Sequence, residues 1–172
     1  MPNIQEAKAF LAHSLEFYAA FERTSEYWVV GDQIRSAHTP AIVCLAFAAE
    51  LGLKSLHLIE RGKYPRGRDA HGLVLLYKQL SEETRYLIAA DGVPLYPQYV
   101  TPKTFLDYLT DHDQVFSKWR YACEPGEDLK ANESFLKKLV QKIHSIAQHA
   151  IENSAEEDIG AAVSGRSRLL IK

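Results

Sequence analysis

Apolar residues along this chain recur at three- and four-residue spacing nearly everywhere, the period of an amphipathic helix, and no alternating β-branched run bounded by hairpin turns interrupts them. The pattern predicts an all-α protein, a bundle of about five to seven helices. A first helix over about 3–23 puts Ala7, Phe10, Leu11, Tyr18 and Phe21 on one side, and a shorter helix over about 25–37 comes after the break at Thr24-Ser25. Thr39-Pro40 is a helix start, because threonine caps free amides and proline near the first turn sacrifices no hydrogen bond. That helix runs to about Arg61 and stops at Gly62. It carries Ile42, Val43, Leu45, Phe47, Leu51, Leu53, Leu56, Leu58 and Ile59 around most of its circumference, as a central helix should.

Beyond the loop at 62–67 the expected helices cover about 70–80, 81–89 (capped by Ser81), 101–123 (opened by Thr101-Pro102) and 132–153, with a proline- and glycine-containing loop at 91–99. Residues 1–153 read as one bundle domain and 154–172 as a C-terminal tail. A chain of 172 residues, 47% hydrophobic and 24% charged, is long enough to bury such a core without disulfides or a structural metal.

Charge narrows the choice of partners. A formal charge of −2 provides no global field for nucleic acid or an anionic membrane, so any anion must be drawn by a local patch. Cys44 and Cys123 stand far apart, without zinc or CxxC spacing, and read as buried thiols. The first residues show no basic segment leading into an apolar run, and no stretch reaches about 18 uninterrupted apolar residues, so a cytoplasmic location without membrane insertion is expected.

Candidate chemistry gathers at the end of the central helix. At about 100° per residue, Glu50, Lys54, His57 and Arg61 fall on one stripe, the only polar one on that helix. It leads into residues 61–68, where Arg61, Lys63, Arg66 and Arg68 place four cations in eight residues beside Tyr64. Guanidinium groups grip phosphate oxygens through paired, charge-assisted hydrogen bonds, and a tyrosine ring can stack on a base. His71 comes next. An imidazole can take a proton from a ribose 2′-hydroxyl, or return one to a leaving oxygen, without a metal, while a nearby arginine stabilises the charge growing on the phosphorus-bound oxygens. The plainer alternatives stay open: a solvated loop, and a surface ion pair between Glu50 and Lys54.

Other chemistries find little footing. His112 shares a stripe with Phe105, Leu109, Phe116 and Trp119, the setting of a hydrogen-bonded core histidine. Di-iron bundles need Glu-x-x-His, whereas His13/Glu16 and His57/Glu60 run in reverse order. Phosphate-loop, dinucleotide, nucleophile-elbow and zinc-protease motifs are absent, and no cofactor or metal is expected. A small-molecule pocket among Tyr96, Tyr99, Trp119 and Tyr121 is a third alternative.

Three segments carry a family resemblance. They are Ala46-Phe47-Ala48-Ala49-Glu50-Leu51-Gly52-Leu53-Lys54-Ser55-Leu56, then Asp69-Ala70-His71-Gly72-Leu73, then Phe116 with Trp119-Arg120-Tyr121-Ala122-Cys123-Glu124. In order and spacing they resemble the prokaryotic branch of the HEPN superfamily over roughly residues 40–125. The resemblance implies a small helical bundle, commonly a homodimer, in a superfamily rich in metal-independent endoribonucleases of toxin–antitoxin and phage-defence systems. Their signature is an arginine, four to six residues, then a histidine. Arg66 and His71 have that spacing, although Gly67 stands where a polar neighbour is usual. On this reading Arg66 and His71 are catalytic, Lys54, Arg61, Lys63, Tyr64 and Arg68 contact RNA or nucleotide phosphate, and Glu50, His57, Arg120, Tyr121 and Glu124 form a polar cluster. The same resemblance admits an inactive module that dimerises or binds a cognate protein partner.

Overall fold

The computed structural model describes residues 2–67, 70–90, 103–119 and 131–169, the last of these from 155 onward as backbone only. Among them are seven helices and one hairpin: α1 (Ile4–Thr24), β1 (Tyr27–Val30), β2 (Gln33–Ser36), α2 (His38–Arg61), α3 (Leu73–Lys78), α4 (Glu82–Ala89), α5 (Phe105–Asp111), α6 (Val115–Trp119) and α7 (Glu133–Leu169). The protein is a mostly helical bundle.

Helix α2 is the axis of the bundle, with α1 and α7 packed along it and α3 and α6 against its remaining sides. Its length and apolarity would suit a membrane span, but 78% of its most apolar window is buried by the other helices, which makes it a core helix. Close approach is achieved with small residues. A Cβ on Gly52 would lie 2.6 Å from Ile143 Cγ2 of α7 and 3.3 Å from Ser14 Oγ of α1, so three helices meet where α2 has no side chain. Ser55 Oγ donates to the Ala7 carbonyl at 2.8 Å and ties α2 to α1 a turn further on.

Several boundaries move for local reasons. Helix α2 begins at His38, with Ala37 as an N-cap that makes no side-chain bond; Thr39 is inside the helix, and Pro40 sits in the first turn, where an amide has no partner to lose. Gly62 ends α2 as expected, in a left-handed conformation (φ 69°) that lets its N–H reach Leu58 O. Ser81 caps α4 by accepting the Thr84 amide. The long helix expected over 101–123 is two short ones: α5 opens at a capping box of Thr104 and Asp107, and His112–Gln114 separate it from α6. Thr101-Pro102 and Cys123 lie outside the described residues, and Cys44 is a half-buried free thiol. Helix α7 continues well past 153, to Leu169.

The helix expected over 25–37 is a β-hairpin. Tyr27-Trp28-Val29-Val30 is rich in aromatic and β-branched residues, and Gly31-Asp32 supplies a two-residue turn whose first position needs φ > 0; Gly31 has φ 65°. The strands are antiparallel, with Tyr27 opposite Ser36 and Val30 opposite Gln33.

Candidate functional site

Glu50 and Lys54, one turn apart on α2, are both buried, at 1% and 7% exposure. Lys54 Nζ donates to Glu50 Oε1 at 2.6 Å, and His71 Nδ1 lies 2.8 Å from the same oxygen. With Nδ1–H donated to the carboxylate, the Nε2 edge of the ring is left for other partners, and the His71 side chain is 54% exposed. A buried carboxylate thus holds an exposed imidazole in one orientation while a buried ammonium balances its charge. Glu50 Oε2 is buried and has no hydrogen-bond partner among the described residues.

Lys54 also links this cluster to the basic loop. Its Nζ sits 5.4 Å from the centroid of the Tyr64 ring, and Arg66 Cζ sits 5.8 Å from the same centroid. Phe10 of α1 contacts the Tyr64 ring at 5.0 Å between centroids. Beside Tyr64 opens a recess of about 560 Å³, lined by His57, Arg61, Lys63, Tyr64, Arg66 and Gln79 among others. Arg61, Lys63 and Arg66 are exposed at its rim. Gly62, by reversing the chain at the end of α2, turns the loop back so that these cations cluster on one side.

The predicted site therefore divides in two. Arg66, Lys63, Arg61 and Tyr64 come together at the recess; His71 belongs to the Glu50 cluster, joined to Arg66 through Lys54 and Tyr64 rather than by a shared wall. Two expectations need correction. Lys54 is no phosphate contact, because its ammonium is buried and held by Glu50. The Glu50–Lys54 pair is likewise no surface ion pair, since both groups lie in the bundle interior.

His57, expected in the polar cluster, is 1% exposed and donates from Nε2 to Leu76 O at 2.8 Å, pinning α3 onto α2. Burial holds its pKa below the ordinary imidazole value. Arg68, Arg120, Tyr121 and Glu124 lie outside the described residues. Phe10 and Gln79 border the site without a sequence signal: Phe10 reads only as a core residue of α1, and an isolated glutamine marks nothing.

His112 is the core histidine its stripe suggests. Its Nδ1–H donates to Tyr108 O at 2.6 Å and its Nε2 accepts the Asn132 amide at 2.6 Å, clasping the end of α5 to the start of α7. Burial lowers its pKa as well. Among the described residues no three His, Cys, Asp or Glu side chains gather closely enough to hold a metal ion. Comparison with family models, curated proteins and solved structures finds no match to this chain.

Proposed function

We propose that this protein binds RNA through its phosphates at the recess beside Tyr64, and that His71 transfers the proton in metal-independent cleavage of the chain. The observation that carries the reading is the Glu50–His71 contact of 2.8 Å: a buried carboxylate fixes Nδ1 and leaves Nε2 of an exposed imidazole available, while Lys54 links the same carboxylate to the Tyr64 ring that Arg66 also approaches. In the cleavage step Nε2 takes the proton of a ribose 2′-hydroxyl as that oxygen attacks phosphorus. The bond to the 5′-oxygen breaks, the leaving oxygen takes a proton from solvent, and a 2′,3′-cyclic phosphate remains. Arg66, exposed beside Tyr64, neutralises the charge growing on the non-bridging oxygens, and Arg61 and Lys63 hold neighbouring phosphates.

The test is cleavage of a panel of RNAs without divalent metal by the native protein, Arg66→Ala and His71→Ala. Loss of about 10²-fold or more in both variants is expected, and equal activity in all three removes the assignment. RNA affinity should fall steeply as salt rises, because each phosphate contact releases counterions.

A second reading keeps the bundle and drops the chemistry: a binding module of the same superfamily type. It is favoured by the separation of His71 from the recess that holds Arg66. Salt-dependent RNA binding with no cleavage in any variant would support it.

A further inference from the structure

His71 lies in a turn whose upstream bond is local, from the Ala70 amide to Gly67 O at 3.2 Å. Downstream, α3 is anchored at both ends. His57 of α2 donates to Leu76 O, as described above. At the other end Asp113, in the break between α5 and α6, accepts the Val74 amide on Oδ1 at 2.7 Å, and its backbone carbonyl accepts the Leu73 amide at 3.4 Å. Both amides belong to the first turn of α3, where a helix has no acceptor of its own, and the N-cap, Gly72, makes no side-chain bond. Asp113 therefore supplies from another element the cap that the local sequence omits.

The fit is close. A Cβ on Gly72 would lie 3.1 Å from Asp113 Oδ1 and 3.2 Å from Oδ2, so the carboxylate reaches the turn across a residue without a side chain. Gly72 has φ −76° and ψ 125°, a conformation open to any residue, so the glycine answers to this contact rather than to its backbone. Asp113 is itself held in place. Its neighbour His112 is bonded through both ring nitrogens, to Tyr108 O and from the Asn132 amide, which ties the break to α5 and to the start of α7. Gln114 Nε2 donates to Asp113 Oδ2 at 3.1 Å.

We propose that Asp113 is the positioning residue of the site: by holding the Leu73 and Val74 amides it sets the turn in which His71 Nδ1 meets Glu50 Oε1. Its catalytic consequence rests on the proposed function; the placement of the ring does not. Only Gly72 separates His71 from the first held amide, so a slip of the turn passes directly to the imidazole. A misplacement of about 1 Å costs about 10²-fold in rate. The interruption of the apolar stripe at His112–Gln114 thereby has a use at the site, because it presents the Asp113 carboxylate to the turn.

The experiment reads the His71 tautomer from its ring-nitrogen NMR shifts, with the ring neutral, beside steady-state cleavage of RNA without divalent metal. In the native chain the bond to Glu50 keeps the proton on Nδ1, whereas a free imidazole in water prefers it on Nε2. Asp113→Ala should move the ring to the Nε2–H form and lower kcat by about 10- to 100-fold, with KM nearly unchanged because the cations at the recess are untouched. Asp113→Asn keeps an oxygen for the Val74 amide and should restore a near-native tautomer and rate. Gly72→Ala crowds the carboxylate while leaving Asp113 in place; it should shift both readings in the same direction as Asp113→Ala, and it decides the matter if that variant does not fold. A native tautomer in Asp113→Ala, or in Gly72→Ala where the former does not fold, overturns the inference. So does a fall in kcat without a change of tautomer, or an equal loss in Asp113→Asn. A native chain that cleaves no RNA overturns the proposed function alone, since the tautomer in the variants still tests whether Asp113 places the imidazole.

Discussion

Two of the buried polar networks along helix α2 are built on opposite terms. Where it crosses α1 and α7, Ser14 Oγ–H donates to Ala48 O at 2.6 Å, so the proton shared with His144 Nε2, 2.7 Å away, must come from the imidazole. This network is neutral, and its serine is fully used. One turn or so along, Glu50 and Lys54 form a charged pair that hands its carboxylate to an exposed histidine and leaves one buried oxygen without a partner among the described residues. The first arrangement fastens helices. The second holds charge in the interior at a cost that packing does not require, and presents the result to solvent, as a site does.

The contrast breaks most severely at Glu50. Glu50→Ala leaves the Lys54 ammonium buried without a counter-charge and should destabilise the bundle by about 3–5 kcal/mol in urea titration. Replacing both partners by apolar residues, Glu50→Leu with Lys54→Met, should cost far less, because no charge is then left buried. Equal losses in the single and double variants would mean that the pair matters by its shape rather than by its charge.

The neutral network should show itself through pH instead. Burial lowers the His144 pKa from 6.5 to about 4, so the unfolded chain takes up its proton first as pH falls. Stability is fully present above pH 6.5 and is lost progressively down to about pH 4, by about 3 kcal/mol from this residue. His57 and His112, also lowered by burial, add losses of the same sign below the ordinary histidine range. His144→Gln should flatten part of this slope in denaturation curves taken between pH 4 and 7. An unchanged slope would show that His144 is already charged in the folded chain.

The crossing itself gives a smaller effect. Gly52→Ala gains roughly 1 kcal/mol of helix propensity but drives a methyl group to within 2.6 Å of Ile143 Cγ2, an overpacking worth about 1–3 kcal/mol. A net loss of up to about 2 kcal/mol is expected, and it should shrink in an Ile143→Ala background, which lacks the Cγ2 atom that the new methyl group meets.

Much of the helical scaffold is readable in the sequence because single residues dictate it. Gly62 must take a left-handed turn, Ser81 must cap the helix it precedes, and an α2 apolar on nearly every side has to lie at the centre. The hairpin is not legible from helical spacing, since its four-residue strands are too short for periodicity; the decisive marks are the β-forming run and the Gly31-Asp32 turn. The break at His112–Gln114 is hidden for the opposite reason, because apolar residues keep helical spacing across it. At the site, the i, i+4 spacing of Glu50 and Lys54 predicts their pairing, but not its burial. The Tyr64 ring beside Lys54 is held against Phe10, a contact that exists only when α1 packs beside the loop.

His71 distinguishes the two regions most sharply at the smallest structural cost. Its side chain is half in solvent and bonds through Nδ1 to a carboxylate that Lys54 also holds, so His71→Ala should change stability by under about 1 kcal/mol. Ser14→Ala, by comparison, strands the His144 N–H in the core and should cost about 1–3 kcal/mol while leaving RNA binding unchanged. Under the proposed function the ranking inverts for chemistry: His71→Ala abolishes cleavage in a chain as stable as the native one, and Ser14→Ala cleaves normally wherever it remains folded. If His71→Ala instead unfolds the bundle as Ser14→Ala does, the imidazole is a strut like His144, and the Glu50 cluster belongs to the scaffold.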